Sequence, residues 1–534
     1  MRDEDQGAAP SNRRRFLLAG LAGAGAALPA GVSANASDAG AEFSLAAPGS
    51  VRRRIEDKLR ELPSLDDFGA RGDGVTDDSE ALQAALDWAG QRPGTRLRVP
   101  PRVFGLARPI AVPQSIELAG EVPGDGNSPL SGFRALKGFE TPYVLHYSSV
   151  EGVAPLPLAA LLVSREWVEG QDFARRLHMR DLYFDVDAVT AQGGVPVHGL
   201  MLANQQLDIH NIWIRSATGF GLWINTQRPD GTFMGALVDN LLRRVWVKGA
   251  GVGGASFTGP HGEMNFGGIL IGALPGARDP TGAAEPPLAT DGILDYCTVA
   301  VGPEALLGCR GNGIHITRSA GWRATGCHLN GAGRNGMVFE HAFQTEISGC
   351  YIDGWGVGAG EREGVLSAIS CNSVVALGDG ADGSLIISSN RIACRPVAAT
   401  AGNDYVAISL RAGSMPTARA VVIGNTIVRR GAATHAVSTF DFGKAGGGEF
   451  EAIVIGNSAP GTVTPFLRPW DETAVRPRFT GNSFQFASAP PSLGWHPAGL
   501  RIDNDAPTPG AAAAWFCVMR GSPGNWRSCG RIDS

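Results

Sequence analysis

The sequence predicts an all-β protein built as a parallel solenoid, and three observations support this fold class. Glycine accounts for 74 of the 534 residues and charged residues for only 18%, which is typical of turn-rich β proteins. A six-residue unit recurs between residues 207 and 486, and repeats of this kind indicate stacked architectures. Before the repeat, a Gly-Asp turn leads into an amphipathic helical segment, which could cover the first turn of a stack.

The first 36 residues have the features of an export signal. Three arginines (Arg13, Arg14 and Arg15) precede a Gly/Ala-rich apolar run, and residues 33–36 supply a small-residue cleavage pattern. The run is too short to span a bilayer, which needs about 20 residues. The arginines and the Phe-Leu that follows resemble a twin-arginine signal, although asparagine stands where Ser or Thr is usual.

We therefore expect a twin-arginine signal peptide at residues 1–36, followed by a linker at residues 37–62. An ordinary signal peptide or an uncleaved anchor is the alternative. Export through the Tat pathway would place the protein in the periplasm or the extracellular space. The formal net charge is −5, whereas a nucleic-acid partner would require a basic surface. We expect no nucleic-acid partner and no membrane span.

The segment LDDFGARGDGVTDDSEALQAAL, residues 65–86, contains the predicted helix. Asp77 or Asp78 is the expected N-cap, and Glu80 is placed to close a capping box with Asp77. The spacing of the apolar residues puts one face of the helix inward, and this face consists of Leu82, Ala85, Leu86 and Ala89. We expect the helix to cap the open end of the first solenoid turn.

The fourth position of the six-residue unit forms a column if the units stack, because equivalent residues of successive turns then lie about 4.8 Å apart. The column changes from apolar residues to cysteines and then to asparagines: Ile212, Val245, Cys297, Cys327, Cys350, Asn390, Asn425, Asn457 and Asn482. Buried asparagines can hydrogen-bond to each other and to the turn backbone. The three cysteines are predicted to be reduced packing residues rather than disulfide partners or metal ligands.

A strand that begins with glycine precedes several of these units. Four such strands align as GLWINT, GILIGA, GIHITR and GMVFEH, starting at Gly221, Gly268, Gly313 and Gly336. Alternation along a strand directs one set of side chains inward and another outward. The expected outward columns are Trp223, Leu270, His315 and Val338, and beside them Asn225, Gly272, Thr317 and Glu340.

Near the C-terminus, the turn sequence GSPGN separates two short β-like runs. A hairpin centred on Pro523 would place Cys517 and Cys529 opposite each other. An exported protein reaches an oxidising compartment, so we predict a cross-strand disulfide between these two cysteines.

The opening motif DFGARGDGVTDDSEALQAAL closely resembles the N-terminal motif of the pectate lyase-like superfamily. The following segment RLRVPPRVFGLARPI resembles the next strand of that family, with Arg102, Val103 and Phe104 replacing the usual Gly, Thr and Tyr. The resemblance implies a right-handed single-stranded parallel β-helix with an N-terminal helical cap at residues 63–505. Residues 506–534 resemble the C-terminal β-hairpin of tailspike-like relatives, several of which are trimers, so a homotrimer is an open alternative.

The same resemblance points to the outward columns as the candidate site, because relatives usually bind substrate along the outer face of the first sheet. A carboxylate, an imidazole and an arginine are suitable groups for acid–base chemistry on an acidic sugar. The predicted catalytic residues are Glu340, His315, Glu263 and Arg318. The predicted substrate-binding residues are Trp223, Asn225, His261 and His341. The alternative is that this surface is a solvated outer face without a catalytic role.

The leading hypothesis is a secreted carbohydrate-active enzyme that cleaves an extracellular polysaccharide. Elimination would use His315 or Arg318 to remove the proton next to a uronate carboxyl, whereas hydrolysis would pair Glu340 with Glu263. The alternative is a non-catalytic glycan-binding or surface-structural β-helix. No cofactor is required by either hypothesis. Calcium stays open, although the sequence offers no convincing trio of carboxylates.

Overall fold

The computed structural model describes most of the chain after residue 41. The described residues are 42–45, 47–125, 128–146, 153–187, 194–254, 256–259, 262–279, 285–301, 308–357, 364–374, 384–394, 402–413, 418–429, 436–444, 449–460, 464–471 and 475–533. The predicted signal peptide at residues 1–36 lies outside these ranges and stays a prediction. The chain divides into two compact units, Met1–Arg60 and Glu61–Ser534.

The described part of the first unit belongs to the predicted linker and contains local secondary structure. Strands Glu42–Phe43 and Arg53–Arg54 pair antiparallel, and a short helix follows at Ile55–Leu59. None of the helix residues is buried, so this helix contributes no core of its own.

The second unit is a right-handed parallel β-helix, as the sequence predicted. Two long sheets contain most of its described strands, and their pairings are parallel apart from that between Tyr143–Leu145 and Leu156–Ser164. Sheet A has 12 described strands: Ile110–Val112, Tyr143–Leu145, Leu156–Ser164, Val197–Leu202, Leu222–Ile224, Ile269–Ile271, Ile314–Ile316, Met337–Phe339, Val365–Val374, Asp404–Ala412, Val437–Lys444 and Thr464–Phe466. The inward side chains of the long sheets form one continuous apolar core along the stack.

Sheet B has 20 described strands. Their bounds are Asp73–Asp77, Arg96–Val99, Val103–Leu106, Glu117–Gly120, Gly132–Ala135, His178–Asp185, Asp208–Ala217, Leu241–Ala250, Ile293–Asp295, Thr298–Ala300, Arg323–Thr325, His328–Asn330, Thr345–Ser348, Tyr351–Asp353, Ser384–Ser388, Arg391–Cys394, Ala418–Ile423, Thr426–Arg429, Phe450–Ile455 and Val475–Thr480. A short third sheet contains Leu237–Val238, Ala289–Thr290 and Ser319–Ala320.

Smaller elements complete the second unit. Three two-stranded pairs join Gly124–Asp125 with Ser128–Pro129, Ala174–Arg175 with Asn204–Gln205, and Ser256–Gly259 with Gly262–Asn265. The helices are Ser79–Gly90 and Arg165–Val168, with 3₁₀-helical turns at Leu65–Phe68, Val252–Gly254 and Ser483–Gln485. No helix in the described ranges has the length and apolar character needed to cross a membrane.

The helix Ser79–Gly90 buries its predicted face, which consists of Leu82, Ala85, Leu86 and Ala89. Its N-cap is Asp78, but the Asp78 carboxylate accepts the backbone N–H groups of Arg71 and Gly72 instead of capping the helix (2.6 and 3.0 Å). The Asp77 carboxylate accepts the N–H of Ser79 (3.0 Å). The predicted capping box with Glu80 is not among the contacts of the described residues, because Asp77 is engaged by Ser79 instead.

The column at the fourth repeat position is a buried ladder, as predicted. The Cys297, Cys327 and Cys350 thiols are fully buried and donate to carbonyls of the preceding rung (3.4–3.7 Å). Each of the first three asparagines donates from Nδ2 to Oδ1 of the next (2.8–2.9 Å), in the order Asn390, Asn425, Asn457 and Asn482. Gln485 ends the ladder by accepting from Asn482 Nδ2 (2.9 Å).

The C-terminal hairpin is present as Ala512–Met519 and Asn525–Arg531, and it belongs to a four-stranded sheet with Phe486–Ala487 and Arg501–Asn504. The predicted disulfide is wrong, because neither cysteine takes part in a disulfide bond. Cys517 pairs with Trp526, and Cys529 pairs with Ala514. The hairpin register therefore differs from one centred on Pro523, and alternation places the two thiols on opposite faces.

Candidate active site on the outer face of sheet A

The outward columns predicted from the glycine-led strands are confirmed by the register of sheet A. Trp223 pairs with Leu270, Leu270 with His315, and His315 with Val338. The flanking residues of each strand lie in the main core, and they are Leu222, Ile224, Ile269, Ile271, Ile314, Ile316, Met337 and Phe339. Alternation along a strand was therefore sufficient to identify which side chains leave the core on this face.

The first rungs of this outer face are covered by other parts of the chain. Trp223 and Leu270 belong to a second buried apolar cluster, to which Trp167, Phe257 and Phe266 also contribute. The Trp223 side chain is 0% exposed, and its indole N–H donates to the carbonyl of Gly272 (2.9 Å). The prediction of an accessible tryptophan surface for a sugar ring is therefore wrong.

Asn225 is also enclosed. Its Nδ2 donates to the carbonyl of Gln227 (3.0 Å), and its Oδ1 accepts the N–H of Gln227 (2.8 Å). Both bonds stay within the local turn, and the residue is 0% exposed. The predicted contact of Asn225 with substrate is wrong because this side chain stabilises the turn and does not reach solvent.

His315 and Glu340 form a pair at the point where this cover ends. Their side chains come from neighbouring rungs, and His315 Nε2 lies 3.0 Å from Glu340 Oε1. The His315 side chain is only 7% exposed, whereas the Glu340 side chain is 28% exposed. The structure thus brings these two residues together, as predicted, with the carboxylate as the more accessible member.

A chain of amides determines which nitrogen of His315 carries the proton. The backbone N–H of Asn335, which can only donate, points at Asn312 Oδ1 (3.1 Å), so that atom must be the oxygen. Asn312 Nδ2 therefore faces His315 Nδ1 (3.2 Å) and donates to it. Nε2 then carries the proton and donates to Glu340. His315 is thus a neutral imidazole, and Glu340 is its ionised acceptor.

The next rung supports this amide chain. The N–H and the hydroxyl of Ser367 both donate to Asn335 Oδ1 (2.7 and 3.1 Å). Asn335 Nδ2 in turn donates to Asn312 Oδ1 (3.1 Å). The orientation of His315 is therefore held by hydrogen bonds that originate in the backbone of sheet A.

Electrostatics keep Glu340 ionised. Burial by itself would raise the pKa of this carboxyl, but the electrostatic interaction and the hydrogen bond with the polar N–H of His315 outweigh burial. The net effect is a pKa below the usual glutamate value. An ionised carboxylate at neutral pH can act as a base or a nucleophile, whereas a general acid would need a raised pKa.

Arg318 and His341 flank the pair at equivalent turn positions. Arg318 Nη1 donates to the carbonyl of Pro286 (2.5 Å). Burial and the positive charge of Arg318 lower the pKa of His341, and the attraction of Glu340 and Glu285 only partly opposes this. His341 is therefore neutral at neutral pH, while Arg318 supplies a fixed positive charge beside the pair.

The two predicted residues of the 256–265 hairpin have different outcomes. His261 lies outside the described residues. Glu263 is exposed, and its carboxylate accepts the Ser256 hydroxyl of the same hairpin. Met264 and Asn265 line a narrow cavity of about 20 Å³ whose other wall includes His315. The hairpin thus lies over the edge of the site, but Glu263 bonds to Ser256 of its own hairpin.

A polar stripe that the sequence analysis missed continues from Glu340 along the same face. Phe339 pairs with Cys371, and Cys371 with Leu410, so the residues that follow them (Glu340, Asn372 and Arg411) lie side by side. Alternation in the strands Asp404–Ala412 and Val437–Lys444 would have revealed further outward residues, but these strands do not begin with glycine. Within the described ranges, no cluster of three or more His, Cys, Asp or Glu side chains is placed to hold a metal ion.

Comparisons with known proteins agree with this architecture. A family described as rhamnogalacturonase A/epimerase, pectate lyase-like, matches residues 64–266. The tail spike protein of an Escherichia phage is 53% identical over 38 residues, which span 7% of this chain and 5% of that protein. The match to this curated relative thus covers a small part of its length.

Two solved structures illustrate the similarity in three dimensions. The tailspike protein of Escherichia coli bacteriophage HK620, in complex with a pentasaccharide, has a TM-score of 0.50 at 12% identity and covers 83% of this chain and 70% of its own. The A-module of a mannuronan C-5 epimerase of Azotobacter vinelandii has a TM-score of 0.46 at 14% identity, over 78% of this chain and 96% of its own.

The family match contains the opening motif and the first rungs, and it ends before His315 and Glu340. It therefore bears on the fold and not on the residues of the candidate site. Residues 64–266 are thus similar to a pectate lyase-like family, and the similarity to the tailspike structure concerns the fold alone.

Proposed function

We propose that this protein is a secreted carbohydrate-active enzyme that binds an acidic polysaccharide along the outer face of sheet A and cleaves it with Glu340 as the base. The observation that carries the proposal is the accessible, ionised Glu340 held by the neutral imidazole of His315. A solvated face without function would not require a three-rung amide chain to set the proton on His315. The similarity to a rhamnogalacturonase and epimerase family is consistent with a polysaccharide ligand.

The protonation pattern favours Glu340 over His315 as the base. His315 Nε2 donates to the carboxylate and Nδ1 already accepts from Asn312, so neither nitrogen is available to take a proton from a substrate. His315 instead orients Glu340 and keeps it ionised. A base within reach of the substrate proton is the first requirement of general base catalysis.

Elimination fits this arrangement better than hydrolysis. Glu340 would remove the proton next to a uronate carboxyl, the released electron pair would form a carbon–carbon double bond, and the bond to the leaving glycosidic oxygen would break. That oxygen would take a proton from solvent. Arg318 would neutralise the uronate carboxylate, a role suited to a guanidinium. Hydrolysis would need a second carboxyl as the acid, and the predicted partner Glu263 is engaged by Ser256.

The test is an assay of the mature protein against a panel of acidic and neutral polysaccharides. Ultraviolet absorbance of an unsaturated uronate and new reducing ends would be followed together. We expect both signals to rise with an acidic polysaccharide, and Glu340→Gln to lower kcat by roughly 10²–10⁴-fold, the contribution of a positioned base. Glu346→Gln is the matched control, because Glu346 lies on sheet B and pairs with Arg323 there.

The outcomes separate the mechanisms. New reducing ends without the absorbance would establish hydrolysis and overturn the elimination step. Binding of a polysaccharide without any cleavage would favour the non-catalytic glycan-binding alternative. Equal loss of activity in Glu340→Gln and Glu346→Gln would show that the first substitution acts on folding rather than on chemistry.

A further inference from the structure

A second polar cluster lies farther along the outer face of sheet A. At its centre is Asp441, whose side chain is 0% exposed. The Asp441 carboxylate accepts from Ser409 Oγ (3.1 Å) and Arg411 Nη2 (3.2 Å). It also accepts from Nε and Nη2 of Arg468 (2.8 and 3.0 Å), so Arg468 binds it in a bidentate fork.

The cluster has more positive than negative charge. Two guanidinium groups share one carboxylate, and no other acidic group in the described part of the chain pairs with either arginine. A buried carboxylate needs a partner, and the bidentate Arg468 already supplies one, so Arg411 is not required for neutralisation. The Arg411 and Arg468 side chains are 30% and 42% exposed, which leaves N–H donors facing solvent.

The register of sheet A relates this cluster to the candidate active site. Asp441 pairs with Ser409, Ser409 with Ser370, and Ser370 with Val338, which is the neighbour of His315. Glu340 and Arg411 lie two rungs apart, roughly 10 Å at the usual strand spacing. Arg468 follows the strand Thr464–Phe466, two rungs farther on. Both clusters thus lie along one outer face within the length of a short oligosaccharide.

We propose that Arg411 and Arg468 form a binding subsite for an anionic group of the polysaccharide, either a sugar carboxylate or a sulfate ester. The proposal rests on the proposed function, because the same chain would be held at Glu340. Asp441 positions the two guanidinium groups, and their remaining N–H donors match the planar geometry of a carboxylate or the tetrahedral oxygens of a sulfate. An arginine does this better than a lysine, because its donors form a rigid fork.

The experiment measures binding in a Glu340→Gln background, which is designed not to cleave the ligand. Isothermal titration would compare uronate-containing, sulfated and neutral oligosaccharides of graded length. Adding Arg468→Gln should weaken binding of the longer anionic oligosaccharides by roughly 10-fold or more, the value of a hydrogen bond to a charged group. Arg468→Lys should recover part of the affinity. Neutral oligosaccharides and those too short to reach from Glu340 to Arg411 should bind unchanged.

Arg478→Gln is the matched control, since Arg478 is an exposed arginine of sheet B that pairs with Glu451. The comparison of uronate-containing with sulfated oligosaccharides identifies the anion, because only the affinity for the correct one should depend on Arg468. Equal affinity of anionic oligosaccharides with and without Arg468→Gln would overturn the subsite and leave the proposed function intact. A failure of every saccharide to bind the Glu340→Gln protein would overturn the proposed function and the subsite together. Arg468→Gln could weaken binding by destabilising the fold, and a lowered melting temperature would reveal this. Arg411→Gln is the control for that case, because it leaves the bidentate pair of Arg468 and Asp441 in place and should show the same selective loss of affinity for anionic oligosaccharides.

Discussion

The asparagine ladder allows a quantitative test of the fold. Asn425 is fully buried at the middle of the ladder. Its Nδ2 donates to the carbonyl of Ile387 and to Asn457 Oδ1, and its Oδ1 accepts the backbone and side-chain N–H groups of Asn390 (2.8–3.0 Å). Asn425→Ala removes all four hydrogen bonds. At about 1 kcal/mol for each bond, the free energy of unfolding should fall by about 4 kcal/mol.

The assay is denaturant unfolding combined with hydrogen exchange. Cys327→Ala is the matched control, because it truncates the same column at a thiol that makes long contacts to carbonyls (3.7 Å) and contacts the neighbouring thiols, with no amide bonds. The free energy of unfolding of this control should fall by about 1 kcal/mol, the cost of removing one methyl-sized group from a core. The N–H of Asn390 should exchange faster in Asn425→Ala, since its acceptor is gone. Equal losses in the two variants would refute the reasoning that the amide bonds dominate the ladder.

Three further predictions concern other parts of the molecule. The kcat/KM of cleavage should stay constant as pH falls through the ordinary glutamate range and decline only below it, because the Glu340 carboxyl has a lowered pKa and stays ionised. A pH–rate profile that declines at or above that range would contradict this. Burial lowers the pKa of His198 to about 3 from 6.5, so the contribution of neutral His198 to the free energy of unfolding should be fully present above pH 6.5 and should fall by about 1.4 kcal/mol per pH unit below it. Denaturant unfolding at pH 7 and pH 5 should therefore show a smaller loss of stability in His198→Asn than in the unmodified protein. An equal loss in both proteins would argue against this assignment. Trp223→Ala should lower the free energy of unfolding by about 3–5 kcal/mol, and the saccharide affinity of the folded protein should stay unchanged. A selective loss of affinity in titrations would instead indicate that Trp223 contacts the saccharide.

The fold could be predicted in detail because its signals repeat at every rung. The columns through Trp223 and Glu340 follow from alternation along each strand. The six-residue unit places the four asparagines of the ladder, from Asn390 to Asn482, in one buried column. His315 and Glu340 could be paired from the sequence for this reason. Their roles could not be separated, because the proton position on His315 depends on Asn312 and Asn335, whose amide orientations are set by backbone groups of other rungs.

The predictions that failed involve contacts between segments distant in sequence. Trp223 faces outward from its strand, but it is buried in one apolar cluster with Trp167 and Phe257, which come from other parts of the chain. The Cys517–Cys529 disulfide depended on a hairpin register that a shift at the turn changes completely, because each step moves a side chain to the opposite face. Arg411 and Arg468 are 57 positions apart in the sequence and share Asp441 only after the rungs stack.

The β-helix, its capping helix, its internal ladder and the direction of each outward column could therefore be predicted from the sequence alone, since they depend on local patterns that can be read within the helix segment or that repeat from rung to rung. Tertiary structure decided which outward residues reach solvent, which nitrogen of His315 carries a proton, and which arginines meet at Asp441. These properties depend on the lengths and paths of insertions between rungs. No local pattern encodes them, because burial and hydrogen bonding are settled only when distant segments pack together.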